Sequence, residues 1–536
     1  MAHRLATALL ALALTAAGSA QTVHYVDVDA RGAGLGTSWG DAYTDLQDAL
    51  DVAASEDEIW IAEGTYLPDR GTGDRDATFT VAGGRELYGG FSGTEVQLGA
   101  RDPENHPTIL SGDLAGDDGV GGGRDDNAHH VVTIDDAFAI GGRFGGLIIE
   151  GGEATGARYP DGGGLLILGG GPTMREMIFR DNRGDGGGAV WISGNSAPTI
   201  NDSLLIANHA LSGAGGAVLC TDYGGGNFAN TRFMGNTASE GGGAVAIVGG
   251  STMAFNNTVF AGNVAGAEGG ALSVDSDDMV LQACTVTANT SGVDDGGGVA
   301  VLVGLSLIQA SIVWGNEDAA GNTEESDQVV ASPGAEVYIE YTVLGGYTGV
   351  AFPGFGNFAA DPVFTDPLGP DGVTGTADDV HRLSRESPCI DKGPPLGSGT
   401  AFDLLDFPRR LDSDLDGLMA SDMGANEFCH ARLELPRVVH AGEAFEMGLD
   451  GTPGLFAHLI VSTDTAAGIL IPYGAFSFDF VGIIARLDLG ITPLRFDLEV
   501  PETVAVPDFL VLQALVIDPA TGFGNLTNGR LLWIEP

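Results

Sequence analysis

The chain has 536 residues, 43% of them hydrophobic, with 73 acidic against 23 basic side chains and a formal charge of −50. That apolar fraction excludes a mainly disordered chain, and so negative a field excludes nucleic acid and acidic membrane surfaces as partners. Glycines number 86, about twice the usual share and without a collagen period, which points to many tight turns.

Residues 1–20 read as a signal peptide. Arg4 supplies the positive start, residues 5–17 an apolar run and Gly18-Ser19-Ala20 a small-residue cleavage site. The expected product is exported, secreted to the extracellular space or held at the outer cell surface, and begins near Gln21. No later run is long enough to span a bilayer. Residues 21–130 read as an N-terminal cap and first coils. Within them, Leu46, Ala49, Leu50 and Ala53 fall at helical spacing over residues 45–54, and residues 58–62 form an apolar strand before Gly64. His129 and His130 precede another apolar strand, residues 131–134. They are read as edge histidines rather than catalytic ones.

Residues 131–345 are repetitive. Glycine pairs recur with their second member at 164, 188, 216, 243, 270 and 298, spacings of 24, 28, 27, 27 and 28. Out of phase with them runs Phe179-x-x-Asn182, Leu205-x-x-Asn208, Phe233-x-x-Asn236, Phe260-x-x-Asn263, Val286-x-x-Asn289 and Val313-x-x-Asn316, with Asn spacings of 26, 28, 27, 26 and 27. Two marks sharing one period predict one coil of three short strands per repeat, stacked as a parallel β-helix. Phe179, Phe233 and Phe260 should then form one inward column, and Ala189, Ala217, Ala244 and Ala271 another. Asn is expected in the left-handed backbone of one corner, its amides bonding up the axis, and Gly at the other corner. This Asn column reads as structural, not as a binding ladder. An open solenoid end is an unpaired edge, so the helix over residues 45–54 suits a cover for the first coil.

The doubled marks, GGA[VL] and FxxN over about residues 160–320, resemble the polymorphic outer membrane protein repeat. That resemblance implies a right-handed, pectin-lyase-like parallel β-helix and a role in adhesion or surface display. Tyr88-Gly89-Gly90-Phe91 and Thr108-Ile109-Leu110-Ser111-Gly112-Asp113 resemble the opening region of bacterial β-helix surface proteins. The segment 346–429 carries Ser387-Pro388-Cys389-Ile390-Asp391-Lys392-Gly393 and Asp422-Met423-Gly424-Ala425-Asn426-Glu427-Phe428, which resemble the choice-of-anchor Q domain that closes many exported β-helices. No outer-membrane barrel is expected in the remaining residues, which lack regular alternating strands of about ten residues.

Asp412, Asp414 and Asp416, at alternate positions before Gly417, with Asp422 just beyond, predict a calcium loop. Met423 stands where a bidentate acid belongs. Asp371, Asp378 and Asp379 form a weaker second candidate. Cys220 and Cys284, two coils apart, are too distant to bridge and should be separate buried thiols, whereas Cys389 and Cys429 flank the closing segment and are candidates to pair. No zinc pattern is present. Residues 430–536 carry short alternating runs that predict a small β-sandwich.

An enzyme reading meets a shortage of bases: between Arg183 and Arg382 the only basic residue besides histidine is Arg232. Acid pairs at Asp277-Asp278 and Asp294-Asp295 fall where coils turn and read as solvated. Trp191 and Trp314 sit at different repeat phases, so no aromatic row marks a glycan platform. The sequence therefore predicts an exported, non-catalytic β-helical protein for adhesion or surface architecture, calcium-assisted and monomeric. Its expected partner is a cell-surface component or a polysaccharide. A carbohydrate-active enzyme, either polysaccharide lyase or glycoside hydrolase, is the alternative, and a glycan-binding module the second.

Overall fold

The computed structural model describes residues 21–428 except 83, 119–122, 136–141, 276, 294–295, 395–400, 406–408 and 410–419, and beyond 430 the backbone of the strands. The signal peptide, Cys429, the pair Asp294-Asp295 and three of the four calcium-loop acids, Asp412, Asp414 and Asp416, lie outside the described residues. No described helix is long and apolar enough to cross a membrane.

The repeats build parallel sheets whose neighbouring strands come from successive turns of the chain. The first sheet has 11 strands, from Val23–Val26 to Glu336–Glu340; the second has 10, from Gly64–Tyr66 to Val343–Leu344; the third has 9, from Phe79–Thr80 to Val329–Ala331. Register is unbroken along the third sheet, where Leu165, Val190, Val218, Val245, Leu272 and Val299 lie side by side. This is the expected parallel β-helix, with its apolar residues turned into one continuous core. Between the ladder asparagines and the glycine corner the middle coils stay extended, and two-residue strands from Arg183–Gly184 to Thr290–Ser291 pair as a short fourth sheet.

The columns form as expected. Phe179, Leu205, Phe233, Phe260, Val286 and Val313 are register partners, and the Phe233 and Phe260 rings stack 4.8 Å apart. A second pair, Phe228 over Phe255 at 5.5 Å, was not read from the pattern. The glycine mark, in contrast, slips by one at both ends. Register places Gly163 and Gly297, not Gly164 and Gly298, beside Gly188, Gly216, Gly243 and Gly270, so Gly164 and Gly298 stand in the alanine column. The need for glycine is steric at this level: a Cβ on Gly216 would lie 2.1 Å from the Gly243 carbonyl oxygen of the next coil.

Asn182, Asn208, Asn236, Asn263, Asn289 and Asn316 are fully buried, and each amide nitrogen donates to the next amide oxygen at 2.8–3.1 Å. Gln328 ends the ladder, accepting from Asn316 at 2.9 Å. One expectation is corrected. The left-handed residue is the one before each Asn: Asp181, Ala207, Gly235, Gly262, Ala288 and Gly315, with φ between 52° and 68°. The Asn itself keeps an ordinary backbone because its task is to aim the amide along the axis. There it also satisfies the preceding coil's turn, as Asn208 does by accepting from the Asn182 N–H and donating to the Phe179 carbonyl.

The N-terminal end is covered by the helix Leu46–Val52, started by Asp45, whose carboxylate accepts from the Gln47 N–H at 2.8 Å. Leu46, Ala49 and Leu50 join Val26, Ile59 and Phe79 in the core. Beyond residue 430 the strands form a three-stranded and a six-stranded sheet, largely antiparallel.

Candidate functional site

After Leu344 the chain leaves the solenoid and folds back along the outside of the second sheet. Leu383, Cys389, Ile390 and Met423 pack on Ile312 and Val343, and Ala425 packs on Met234, Val259 and Ala261. The strip 422–428 shows why each of its residues is there. Met423, the residue that spoils the calcium-loop pattern, is a docking hydrophobe at 1% exposure. The Gly424 N–H donates to the Ala310 carbonyl at 2.8 Å and the Ala425 N–H to the Thr285 hydroxyl at 3.0 Å. Glu427 accepts from Arg409 at 2.7 Å.

Arg409 was not singled out in the sequence, yet it is the bolt of this contact. It is 1% exposed, and it donates to the Asn257 side-chain oxygen at 2.6 Å and to the carbonyls of Gly424 at 2.8 Å and Ala425 at 3.0 Å. Around it stand Asp403, Asp422 and Glu427, all nearly inaccessible. Burial pushes the Asp422 carboxyl up to about 7, with Asp403 adding to it, and raises Glu427 well above its ordinary value, with Asp422 and Asp403 adding to it. Asp422 accepts from the backbone N–H groups of Asp391 and Phe428, so the one described member of the predicted calcium set faces inward. Cys389 is a buried thiol beside it, its pKa pushed up to about 12 by burial. Cys220 and Cys284 are separately buried, as expected.

The second acidic set is brought together. Carboxylate oxygens of Asp371, Asp378 and Asp379 lie within 4.8 Å of one another. The loop that carries them docks on the solenoid through Gly375, whose Cα would lie 2.5 Å from a Cβ at Gly262 and whose carbonyl oxygen would lie 2.6 Å from one at Gly235. Asp379 accepts from the Gly375 N–H at 2.7 Å, and Arg232 reaches across to the Ala377 carbonyl at 2.9 Å. Asp113, Asp117 and Asp118 make another such group near the N-terminal coils, which the sequence reading missed although 113–118 contains all three.

Where the returning segment stops short of the second sheet's first coils, a cleft of about 770 Å³ opens. Its floor is the outer face around Ile178, Leu204 and Val259; one wall is Pro103 and Glu104, the other residues 377–382 with Leu404, Leu405 and Asn426. Arg175, Arg232 and Arg382 all line it, so the one basic residue of the middle coils meets two others here. Most acids around it are engaged. Arg175 binds Asp202 at 2.6 Å, Asn230 donates to the same carboxylate at 2.9 Å, and Arg101 binds Glu176 at 2.8 Å. Burial, with Arg232 adding to it, pushes His381 down to about 4, so its ring is neutral at physiological pH. Burial raises Asp379 and lowers Arg232.

His129 and His130 are not part of the cleft. Their Nδ1 atoms lie 3.0 Å from the carbonyls of Glu153 and Gly162 in the following coil, which fits a structural role. Asp278 accepts from the Leu305 N–H at 3.2 Å. Trp191 lies in the third sheet and Trp314 in the second, so they form no row.

No protein-family model matches the chain, and no curated protein matches it. Among solved structures, a pectate lyase, Pel9A, is similar at a TM-score of 0.46 and 16% identity, covering 76% of this chain and 97% of that one. A similarity of that size carries no argument about activity, and the fold assignment rests on the strand register itself.

Proposed function

We propose that the protein is an exported, non-catalytic β-helical protein of the cell surface or extracellular space, serving adhesion or surface architecture with the help of calcium. The observation that carries this reading is the state of the titratable groups at the cleft over the second sheet. Asp202 and Glu176 are tied up by Arg175 and Arg101, Asp378 and Asp379 hold their own loop through Thr376 and Gly375, and His381 is held far below the range a general base needs. The signal-peptide pattern and the likeness of the doubled repeat marks to the polymorphic outer membrane protein repeat support the surface role, and the closing strip's likeness to the choice-of-anchor Q domain agrees with it. Calcium enters through oxygen-only ligands. Asp371, Asp378 and Asp379 fit a hard cation by donor type and spacing, and Asp412, Asp414 and Asp416, without the inward-facing Asp422, are the second candidate.

The cleft's size and its mixture of acids and arginines favour one rival, a carbohydrate-active enzyme of the same fold. Incubating the purified protein, with and without Ca²⁺, with plant and algal polysaccharides decides between them. The proposal expects no new reducing or unsaturated ends; their appearance, abolished by Asp202→Asn or Asp379→Asn, would establish the enzyme. Fractionating tagged protein among envelope, vesicles and medium tests the surface assignment.

A further inference from the structure

We infer that Asp113, Asp117, Asp118 and the side-chain oxygen of Asn127 form a binding site for one divalent cation, calcium by its ligand chemistry, that fastens the first coils of the solenoid. The site is separate from the acidic loop 371–379 of the returning segment and stands or falls without it. Carboxylate oxygens of Asp113, Asp117 and Asp118 lie within 4.8 Å of one another. Arg124, 3.5 Å from Asp118, also donates to the Asp181 carbonyl at 2.7 Å, and it offsets at most one of the three charges. Partial burial raises the Asp117 carboxyl, and Asp126, Asp113 and Asp118 add to it, so the group is short of positive charge.

An independent observation is a buried acceptor with no donor. Asn127 is fully buried; its amide nitrogen donates to the Asp118 carboxylate at 2.8 Å and to the Gly151 carbonyl at 2.6 Å, which fixes the amide and leaves its oxygen without a partner. Amide geometry then holds that oxygen within about 5 Å of the Asp118 oxygen, a span that one ion bridges with two bonds of about 2.3–2.6 Å. An oxygen of Asp117 is likewise closed off and unpartnered. Closure suits an ion, because bonds of that length fit a hole too tight for a water molecule hydrogen-bonded at about 2.8 Å. A water donating to both oxygens would also leave three like charges facing one another, whereas a divalent cation answers both needs. Oxygen ligands from three carboxylates and an amide suit calcium; magnesium keeps its waters and demands a regular octahedron.

The position accounts for the fastening. The pairings Ser111 with Glu150 and Glu150 with Arg180, continued two residues along, put Asp113 and Gly152 in the column of Asn182. The amide ladder ends there, because Asn182 accepts from the Gly152 N–H at 3.0 Å and the glycine has no amide to pass the ladder on. Below it the cation takes over, tying Asp113, just after the strand Thr108–Ser111, to Asn127, ahead of the strand Val132–Ile134.

The test is calorimetric titration of the chelator-stripped full chain with Ca²⁺ and with Mg²⁺, on the parent, Asp117→Asn and Asp378→Asn. Asp117→Asn takes a charge out of a crowded group and should fold. The expected result is one calcium equivalent lost, or bound at least about tenfold more weakly, in Asp117→Asn and unchanged in Asp378→Asn, with magnesium at least about tenfold weaker throughout. Calcium should slow amide hydrogen exchange within 111–128 in the parent but not in Asp117→Asn. Urea midpoints should cross: Asp117→Asn matches or exceeds the parent without calcium and falls below it with calcium. A parent that binds no calcium, binding undiminished in Asp117→Asn, or magnesium bound as tightly as calcium would each overturn the site. Loss confined to Asp378→Asn would overturn it while upholding calcium at the returning loop; loss confined to Asp117→Asn upholds it whatever becomes of that loop.

Discussion

The asparagine ladder permits a sharp prediction for Asn236→Ala. The Asn236 amide oxygen accepts from both the backbone and the side chain of Asn208 at 3.0 Å, and its amide nitrogen donates to the Leu205 carbonyl at 3.0 Å and to Asn263 at 2.9 Å. After truncation most of these partners recover. The Asn208 amide nitrogen keeps Phe179 and Ile206 as acceptors, and the Asn263 oxygen keeps the backbone N–H of residue 236. The Asn208 N–H does not recover, whereas the Leu205 C=O keeps the ladder position against Met234 that its parallel register gives it. One stranded, buried backbone donor costs about 1–3 kcal/mol and the lost side-chain bonds about 1 kcal/mol more, a loss of about 3 kcal/mol. Asn227 on the same coil is the control: it is half-buried and accepts only one bond, from Asn256 at 3.1 Å, so Asn227→Ala should cost less than about 1 kcal/mol. Urea denaturation followed by circular dichroism measures both. Equal midpoints for the two variants would show that the column is not what holds the coils in register.

Three further outcomes are expected. Gly216→Ala should destabilise by about 3 kcal/mol or more in the same assay, since a Cβ there lies 2.1 Å from backbone and only a shift of two coils relieves it; an unchanged midpoint would refute the steric account of the glycine corner. Gly375→Ala, at φ 85° and against Gly235 and Gly262, should release the acidic loop while the solenoid stays folded, read as new proteolytic cleavage within 366–383 against an unaltered far-ultraviolet spectrum; resistance equal to the parent's would sink it. The third concerns pH. Because burial raises Asp422 from an ordinary value near 4 to about 7, the folded state prefers the protonated carboxyl. Its contribution is therefore fully favourable below about pH 4, fades as pH rises to about 7 and is flat above, on the order of 4 kcal/mol in all. Urea midpoints at pH 4.5 and 8 should differ in that direction, and Asp422→Asn should flatten the slope; an unchanged slope would mean that Asp422 is ionised throughout.

The parts of the fold legible in the sequence are those that repeat. A residue in this solenoid meets its equivalents about 27 positions away, so every inward column and the whole amide ladder print themselves as a period. Contacts that do not repeat leave no such trace. Arg232 meets Ala377 across 145 positions and Arg409 meets Asn257 across 152, and neither pairing has a counterpart in the next coil. That is why Arg409 passed unnoticed, and why the arginines looked too sparse for a site when the fold gathers three of them. One trace was available. The residue before each ladder asparagine is Asp181, Ala207 or Ala288 in some coils but Gly235 and Gly262 in two successive ones, where the Gly375 backbone lands. The signal is incomplete, because Gly315 occupies the same position with nothing closer to its would-be Cβ than the Thr287 hydroxyl at 4.0 Å. A lone glycine at a corner thus marks only tolerance of the left-handed turn. Two adjacent ones stack into a bare strip along the axis, wide enough for another backbone to lie on. In a solenoid, then, the places to search for docking and for clefts are runs in which consecutive coils depart from the repeat in the same way.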